Sequence, residues 1–288
     1  MKVGIIGGSG LYHLEELEKI EEVHLDTPFG KPSSYFVTGK VNGIPVAFLP
    51  RHGIGHVLLP TEIPFRANIW GLKMLGVTHL ISVGAVGSLR EEIEPGHMVF
   101  PDQFIDLTRD RKSTFFGNGV VGHVQFGNPV CSELSGKLVE AAQTVGATMH
   151  VGGTYICMEG PAFSSRAESL LYRSWGADVI GMTNMPEAKL AREAEMCYAT
   201  VAMVTDYDCW HPDHVNVEVT DVIRVLTENA DRARELVKTV AGRLHHRPLA
   251  CPHGCDRALD AALITQPEAR DPAMMRQLGA VAGRVLPI

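Results

Sequence analysis

Short apolar runs alternate along this chain with longer stretches of mixed character, and the two periods predict strands and helices in turn. Val3–Ile6 is a continuous apolar run and reads as a first buried strand. Tyr35–Thr38 and Pro45–Pro50 read as strands on either side of a turn at Asn42-Gly43. Leu80–Val83 is a short apolar strand ending at Gly84, and Asp178–Met182 and Thr200–Thr205 are two more. Helical stretches precede the last two, at Ser165–Trp175 and Pro186–Glu195. Asp221–Arg243 carries Ile223, Leu226, Ala230, Ala233 and Val237 at helical spacing. Asp106–Phe126 has no clear period and reads as a long loop. Strands alternating with helices predict an α/β fold, a central sheet flanked by helices.

The pattern changes near residue 245. Residues 1–244 read as one main domain and 245–288 as an extension. His245–Pro272 clusters His, Cys and Pro. Beyond it, Met274, Met275, Leu278, Val281 and Val285 recur at near-helical spacing, which predicts a helix packed by its apolar face on the same domain or on a neighbouring subunit. Cys251-Pro252-His253-Gly254-Cys255 admits three readings: a zinc site, a disulfide across a tight turn, or a reduced structural turn. No second cysteine pair stands close by in sequence, so no metal ligand is assigned.

Composition narrows the function classes. The chain has 288 residues, 45% of them apolar, enough for a sizeable core. A formal charge of -7 argues against a nucleic-acid or membrane-surface binder. Apolar runs are too short for a transmembrane helix, and Met1-Lys2-Val3 enters a strand with no signal-peptide layout. The six cysteines are scattered, so a reduced, cytoplasmic protein is expected.

The first strand runs into Gly7-Gly8-Ser9-Gly10. Glycines at such a junction bring backbone N–H groups close to an anion. From Gly8 the third glycine of a dinucleotide fingerprint is missing, and Leu11 stands where a phosphate-loop lysine would follow Gly10. What remains fits a tight turn or a nest for a single phosphate, with the Ser9 hydroxyl as a donor. In open α/β sheets ligands sit beyond the carboxyl ends of strands. There the sequence places Arg51, the Gly84–Ser88 backbone and Thr183, a tetrahedral-anion set with one fixed cation. Asp206 and Asp208 end another strand. If the chain stays extended they point to one side, where their charges repel and one holds a proton. Such a pair can accept from an amino group while donating to a ring nitrogen.

These residues lie in segments, among them "IIGGSG", "RHG", "EGPAFSSRAES", "WGADVIGMTNMPEAKLA" and "MVTDYDCW", whose order from Val3 to about Arg243 resembles the purine nucleoside phosphorylase superfamily, and most closely its 5'-methylthioadenosine phosphorylase branch. The resemblance implies a single-domain fold with a central mixed β-sheet. It implies a catalytic domain over 1–244 that displaces adenine from a nucleoside with inorganic phosphate as co-substrate and no cofactor. It puts Ser9, Arg51, His52, Gly84, Ala85 and Thr183 at the phosphate, Met182 at the ribose, and Phe163 and Ser164 beside the purine. Asp206 falls where N7 is met, and Asp208 near the 6-amino group, a pair that favours adenine. His123 falls where a neighbouring subunit closes over the 5' end, since the family works as trimers or dimers of trimers. Many members carry a hydroxyl residue where Gly84 stands, so one phosphate contact is expected to pass to backbone or water. The rival activities are an adenosine or broad purine nucleoside phosphorylase, a nucleoside hydrolase without a phosphate cradle, and a purine-binding module without chemistry.

Overall fold

The apolar run at the N-terminus becomes the centre of the sheet. A computed structural model describes residues 1–8, 17–212, 219–244 and 250–286. Within them the strands are β1 (Val3–Gly7), β2 (Glu18–Val23), β3 (Phe36–Val41), β4 (Ile44–Pro50), β5 (His79–Ser88), β6 (Met98–Phe100), β7 (Gln103–Asp106), β8 (Met149–Val151), β9 (Thr154–Cys157), β10 (Val179–Gly181) and β11 (Cys197–Asp206). The helices are α1 (Phe65–Met74), α2 (Ser132–Thr144), α3 (Arg166–Ser174), α4 (Asn184–Glu193), α5 (Val219–Leu244) and α6 (Pro272–Ala282). The helix expected just after Gly10, and the residues Ser9, His245 and His246, lie outside the described residues.

All eleven strands form one mixed sheet, with a main path β2-β3-β4-β1-β5-β10-β9-β7 and β11, β6 and β8 branching from it. β1 pairs in parallel with β4 and β5, β11 runs parallel to β5, and β10 runs antiparallel to it. Side chains of β11 alternate between two cores. Ala199, Val201 and Met203 join α2 and α5 residues such as Leu138 and Val237, whereas Tyr198, Ala202 and Val204 join α1, α4 and α6 residues such as Ile69, Leu190 and Leu278. A strand covered on both faces loses its polar alternation, which explains the unbroken apolar runs.

The elements depart from the sequence reading at β5 and α5 and agree with it at the start of α4. β5 does not stop at Val83. It continues through Gly84 to Ser88, because β11 pairs with it along its length. The Gly84–Ser88 segment is therefore strand and not loop. α4 contains Met185 with extended dihedrals, so its regular turns begin at Pro186, as the sequence placed them. In α5, Ala233 and Val237 are buried as the period predicts, with Val225, Leu236 and Val240 beside them, whereas Ile223 is 56% exposed and the Ala230 side chain lies outside those described.

The extension folds onto its own chain. Asp271 caps α6 by accepting from the Met274 N–H at 2.7 Å. Met274, Leu278 and Val281 are buried in the core beside α1, and Trp70 Nε1 of α1 donates to the Gln277 carbonyl at 3.1 Å. Leu263 bridges to Gly122, and the His123 N–H donates to the Ala262 carbonyl at 2.8 Å. The extension thereby holds the loop that carries His123. Four of the six cysteines, Cys131, Cys197, Cys251 and Cys255, converge in space. The second pair that the neighbouring sequence lacked comes from α2's N-terminus and the start of β11. No helix among the described residues is long and apolar enough to cross a membrane.

Candidate active site

The strand pairing leaves a gap in the middle of β5. On one edge β1 pairs only as far as Ser82, and β10 begins only at Gly87. Between them Gly84 and Ala85 are half-exposed in an otherwise buried strand. β10 runs antiparallel to β5, so the chain leaving it carries Met182 and Thr183 back along this gap. A side chain on Gly84 would lie 3.6 Å from Thr183 Oγ1 and 3.7 Å from an Arg51 terminal nitrogen. Arg51, Gly84 and Thr183 thus form one corner, with Ala85 and Met182 beside it.

Arg51 is not a free cation. It is 2% exposed, and Nε and one terminal nitrogen bond Glu187 of α4 at 2.9 and 3.2 Å. Its other N–H groups donate to the Val83 carbonyl at 3.0 Å, Ser82 Oγ at 2.7 Å and the Ile6 carbonyl at 3.3 Å. Burial works against the charge, but Glu187 outweighs it and holds the guanidinium above its ordinary value. The corner is therefore nearly neutral overall, with Arg51 joining the ends of β1 and β4 to the middle of β5.

His52 is neutral. Burial pushes its pKa down to about 4, against the help of its hydrogen bond to Leu58, and the nearby Arg51 charge adds to the fall. Nδ1 lies 2.9 Å from the Leu58 carbonyl, which only accepts, so Nδ1 carries the proton and Nε2 is an acceptor.

At the other end of the gap stands the carboxylate pair. β11 bulges between Val204 and Asp206 and ends there, and Asp208 follows with φ 51. The chain has turned, so the pair is not held by an extended strand as the spacing suggested. The turn itself joins them: the Asp208 N–H donates to Asp206 Oδ1 at 2.8 Å, and the Thr205 hydroxyl donates to Oδ2 at 2.7 Å. Gly87 makes room, since a Cβ there would lie 2.8 Å from Asp206 Oδ1. Burial pushes Asp206 up to about 6 despite those two donors, and the Asp208 charge is a smaller contribution. Asp208 is 4% exposed and is also raised, chiefly by burial, with Ser169 and Ser164 opposing. Its Oδ2 has no hydrogen-bond partner. An unpartnered buried acceptor is costly unless something donates to it.

Gly84 and Gly87 lie three residues apart in β5, so the corner and the carboxylates are about 10 Å apart. That spacing leaves room for one sugar between an anion and a base. Ser164 lies on the carboxylate side, where the Cys209 thiol donates to its carbonyl at 3.2 Å, and its neighbour Phe163 is 43% exposed. His123 is exposed on the loop held by the extension.

Sequence reasoning missed the residues that hold these segments. Arg111, in the aperiodic loop, bonds Glu159 Oε1 at 2.9 Å and donates to the carbonyls of Met182 at 2.7 Å and Met185 at 2.6 Å. The Tyr155 hydroxyl fills the space beside Gly181, where a Cβ would lie 2.0 Å from it. Neither residue carries a local motif that marks it.

The sequence model of the phosphorylase superfamily matches residues 2–241. The chain belongs to this superfamily. Among its curated relatives, the S-methyl-5'-thioadenosine phosphorylase of Cereibacter sphaeroides is 58% identical over 284 residues, covering 99% of this chain and 98% of that protein. The protein of the same name from Geobacter sulfurreducens is 56% identical over 282 residues, covering 98% of each. Among solved structures, a methylthioadenosine phosphorylase from an Antarctic soil metagenomic library superposes with a TM-score of 0.92 at 48% identity, over 97% of this chain and 98% of that one. The Schistosoma mansoni methylthioadenosine phosphorylase, in complex with adenine, gives 0.85 at 34% identity, over 94% of this chain and 99% of that one. The expected fold holds: a phosphorylase with a mixed central sheet flanked by helices.

Because Arg51 and Glu187 are both buried, removing one strands the other. Arg51→Met should destabilise the phosphorylase by about 3–5 kcal/mol, and the double variant with Glu187→Leu should recover most of the loss. Denaturant unfolding of both variants reads this, and a double variant less stable than Arg51→Met contradicts the neutral-corner reading.

Proposed function

We infer that the chain catalyses phosphorolysis of 5'-methylthioadenosine by inorganic phosphate, releasing adenine and 5-methylthioribose 1-phosphate. The carrying observation is the Asp206–Asp208 turn, a raised carboxyl beside an unpartnered acceptor, set about 10 Å along β5 from the Arg51, Gly84 and Thr183 corner. The full-length relatives named for this activity support the same reading.

In this mechanism phosphate sits at the corner and adenine at the carboxylates. The bond from C1' to N9 breaks early, leaving an oxocarbenium-like sugar, as in glycoside cleavage. The departing electron pair enters the purine ring. Asp206 gives its proton to N7, so adenine leaves neutral, and Asp208 accepts from the 6-amino group. A phosphate oxygen then forms the bond to C1' from the opposite face. His52 Nε2, kept neutral, accepts a hydrogen bond from the hydroxyl of monohydrogen phosphate and so orients it. The near-neutral corner suits this step, because several uncompensated cations would hold phosphate too tightly to react. Gly84 and Ala85 offer backbone at the gap, Met182 covers the sugar, and Phe163 and Ser164 flank the base. Ser9, outside the described residues, completes the phosphate site.

Adenosine is the second reading. A Schistosoma mansoni neighbour, 36% identical with a TM-score of 0.83, is described as an adenosine/methylthioadenosine phosphorylase. A methylthio group adds one to two CH₂ equivalents of burial, about 0.8 kcal/mol each, so the preference between the two nucleosides is modest.

The phosphorylase works as a homotrimer or a dimer of trimers, in which His123 reaches a neighbour's 5' end. Leu171 of α3 and Trp175, the residue that caps it, are 47% and 49% exposed and give an apolar face for a second copy. Light scattering should return three or six chain masses, and a monomeric mass removes the role of His123.

Methylthioadenosine should be cleaved only when phosphate is present, with adenosine slower and inosine slower still. Equal turnover in phosphate-free buffer would make the protein a hydrolase.

Asp206→Asn should cut turnover of adenine nucleosides on the order of 100-fold and improve inosine relative to adenosine, because the amide can donate to N7 but cannot transfer a proton. The active form of Asp206 is protonated, and its free-enzyme pKa is raised to about 6. Wild-type kcat/KM should therefore fall about tenfold per pH unit above 6 relative to D206N, the ratio removing the titration of phosphate itself. A pH-independent ratio contradicts the acid role.

A further inference from the structure

Four thiols from three distant segments meet at the far end of β11 from the active site. Cys131 is the N-cap of α2, Cys197 opens β11, and Cys251 and Cys255 flank the Pro252-His253-Gly254 turn of the extension. All four Sγ atoms lie within 4.8 Å of one another. Cys131 and Cys251 Sγ are 3.8 Å apart. A tetrahedral zinc ion with Zn–S bonds of about 2.3 Å needs sulfur–sulfur edges of about 3.8 Å. The cluster thus has the size of a tetrathiolate cage, closing inward by less than an ångström.

We propose that Cys131, Cys197, Cys251 and Cys255 form a structural zinc site that fastens the C-terminal extension to the sheet. The donor set is soft, and four thiolates complete the coordination of zinc, which leaves no position for a substrate water. C-x₃-C lies within the spacing of structural zinc turns. Gly254, with φ 68, closes that turn through its N–H to the Cys251 carbonyl at 3.0 Å. The Cys131 N–H donates to the Tyr198 carbonyl at 2.8 Å, locking Cys131 against the residue after Cys197. No pair stands apart as a disulfide would require, because the four sulfurs are mutually close.

Each thiol gives its proton to solvent as its Zn–S bond forms, with no redox change. A cleft of about 280 Å³, lined by Lys73, Thr78, Glu195, Cys197, Cys251 and Arg284, supplies an approach. Cys197 and Asp206 are the two ends of the ten-residue β11, roughly 30 Å apart, so the ion holds structure and takes no part in phosphorolysis.

The test uses the full chain, purified from reducing cytoplasm without chelator. Elemental analysis should find one zinc per chain. Zinc stripped and replaced by cobalt(II) should give the intense visible bands and sulfur-to-metal charge transfer of tetrahedral thiolate cobalt. Stripping should also lower the unfolding midpoint. The Cys251→Ser/Cys255→Ser variant should lose both the zinc and the cobalt spectrum. Reduced wild-type protein that holds no zinc and gives no tetrahedral cobalt bands overturns the proposal, as does intact-mass evidence for two disulfides. The wild-type spectrum decides even if the variant fails to fold.

Discussion

The buried pair of Arg51 and Glu187 is the constraint on which the active site depends. One guanidinium collects carbonyls at the end of β1 and in the middle of β5, a hydroxyl of β5 and a carboxylate of α4. Three separate elements meet where the sheet changes direction. Remove the charge and the gap beside Gly84 has no fixed walls. Tyr198 strengthens the arrangement by donating its hydroxyl to Glu187 Oε1 at 3.0 Å. Such pairs seldom stabilise a fold over a hydrophobic replacement. Their use here is geometric, because a guanidinium fork fixes several acceptors at set angles.

The site divides its charges accordingly. At one end a cation is compensated by Glu187, so the corner carries little net charge. At the other, two carboxyls are kept from water, so one can carry a proton near neutral pH. Burial does most of that work at Asp206 and outweighs the repulsion that the sequence spacing suggested. Gly87 is the condition for it, because any side chain there would push into the carboxylate.

Much of this was readable in the sequence, and the missing parts share physical causes. β1 and β11 announced themselves because strands buried on both faces are apolar throughout. β2 did not, because Glu18–Val23 is an exposed edge strand of charged residues with no apolar face. β6, β8 and β9 run for only three or four residues, too short for a period. α2 could have been read, since Leu134, Leu138, Ala141 and Ala142 follow helical spacing. In the site, Arg51, Thr183 and the Asp pair are visible as strand-end chemistry. Glu187 and Arg111 are not, because their meaning lies in partners up to 136 residues away.

The extension shows the same limit from the other side. Its cysteines looked incomplete because a sequence window sees only Cys251 and Cys255, while Cys131 and Cys197 arrive through the sheet. Once the four meet, the extension has two anchors. The thiol cluster fixes its start, and α6, buried against α1, fixes its end. Between them the chain has one course, past Gly122 and His123. A loop with no period of its own is thereby held by the extension's backbone, through Ala262, Leu263 and Ile264. The 117–126 loop closes on itself only at Gly117 and Val120 and seats Val120 in the core, and the extension's backbone supplies a second hold at Val121 and His123. The loop carrying His123 is therefore held from two sides, by the core that takes Val120 and by an extension whose own anchors, the cluster and α6, lie some distance away.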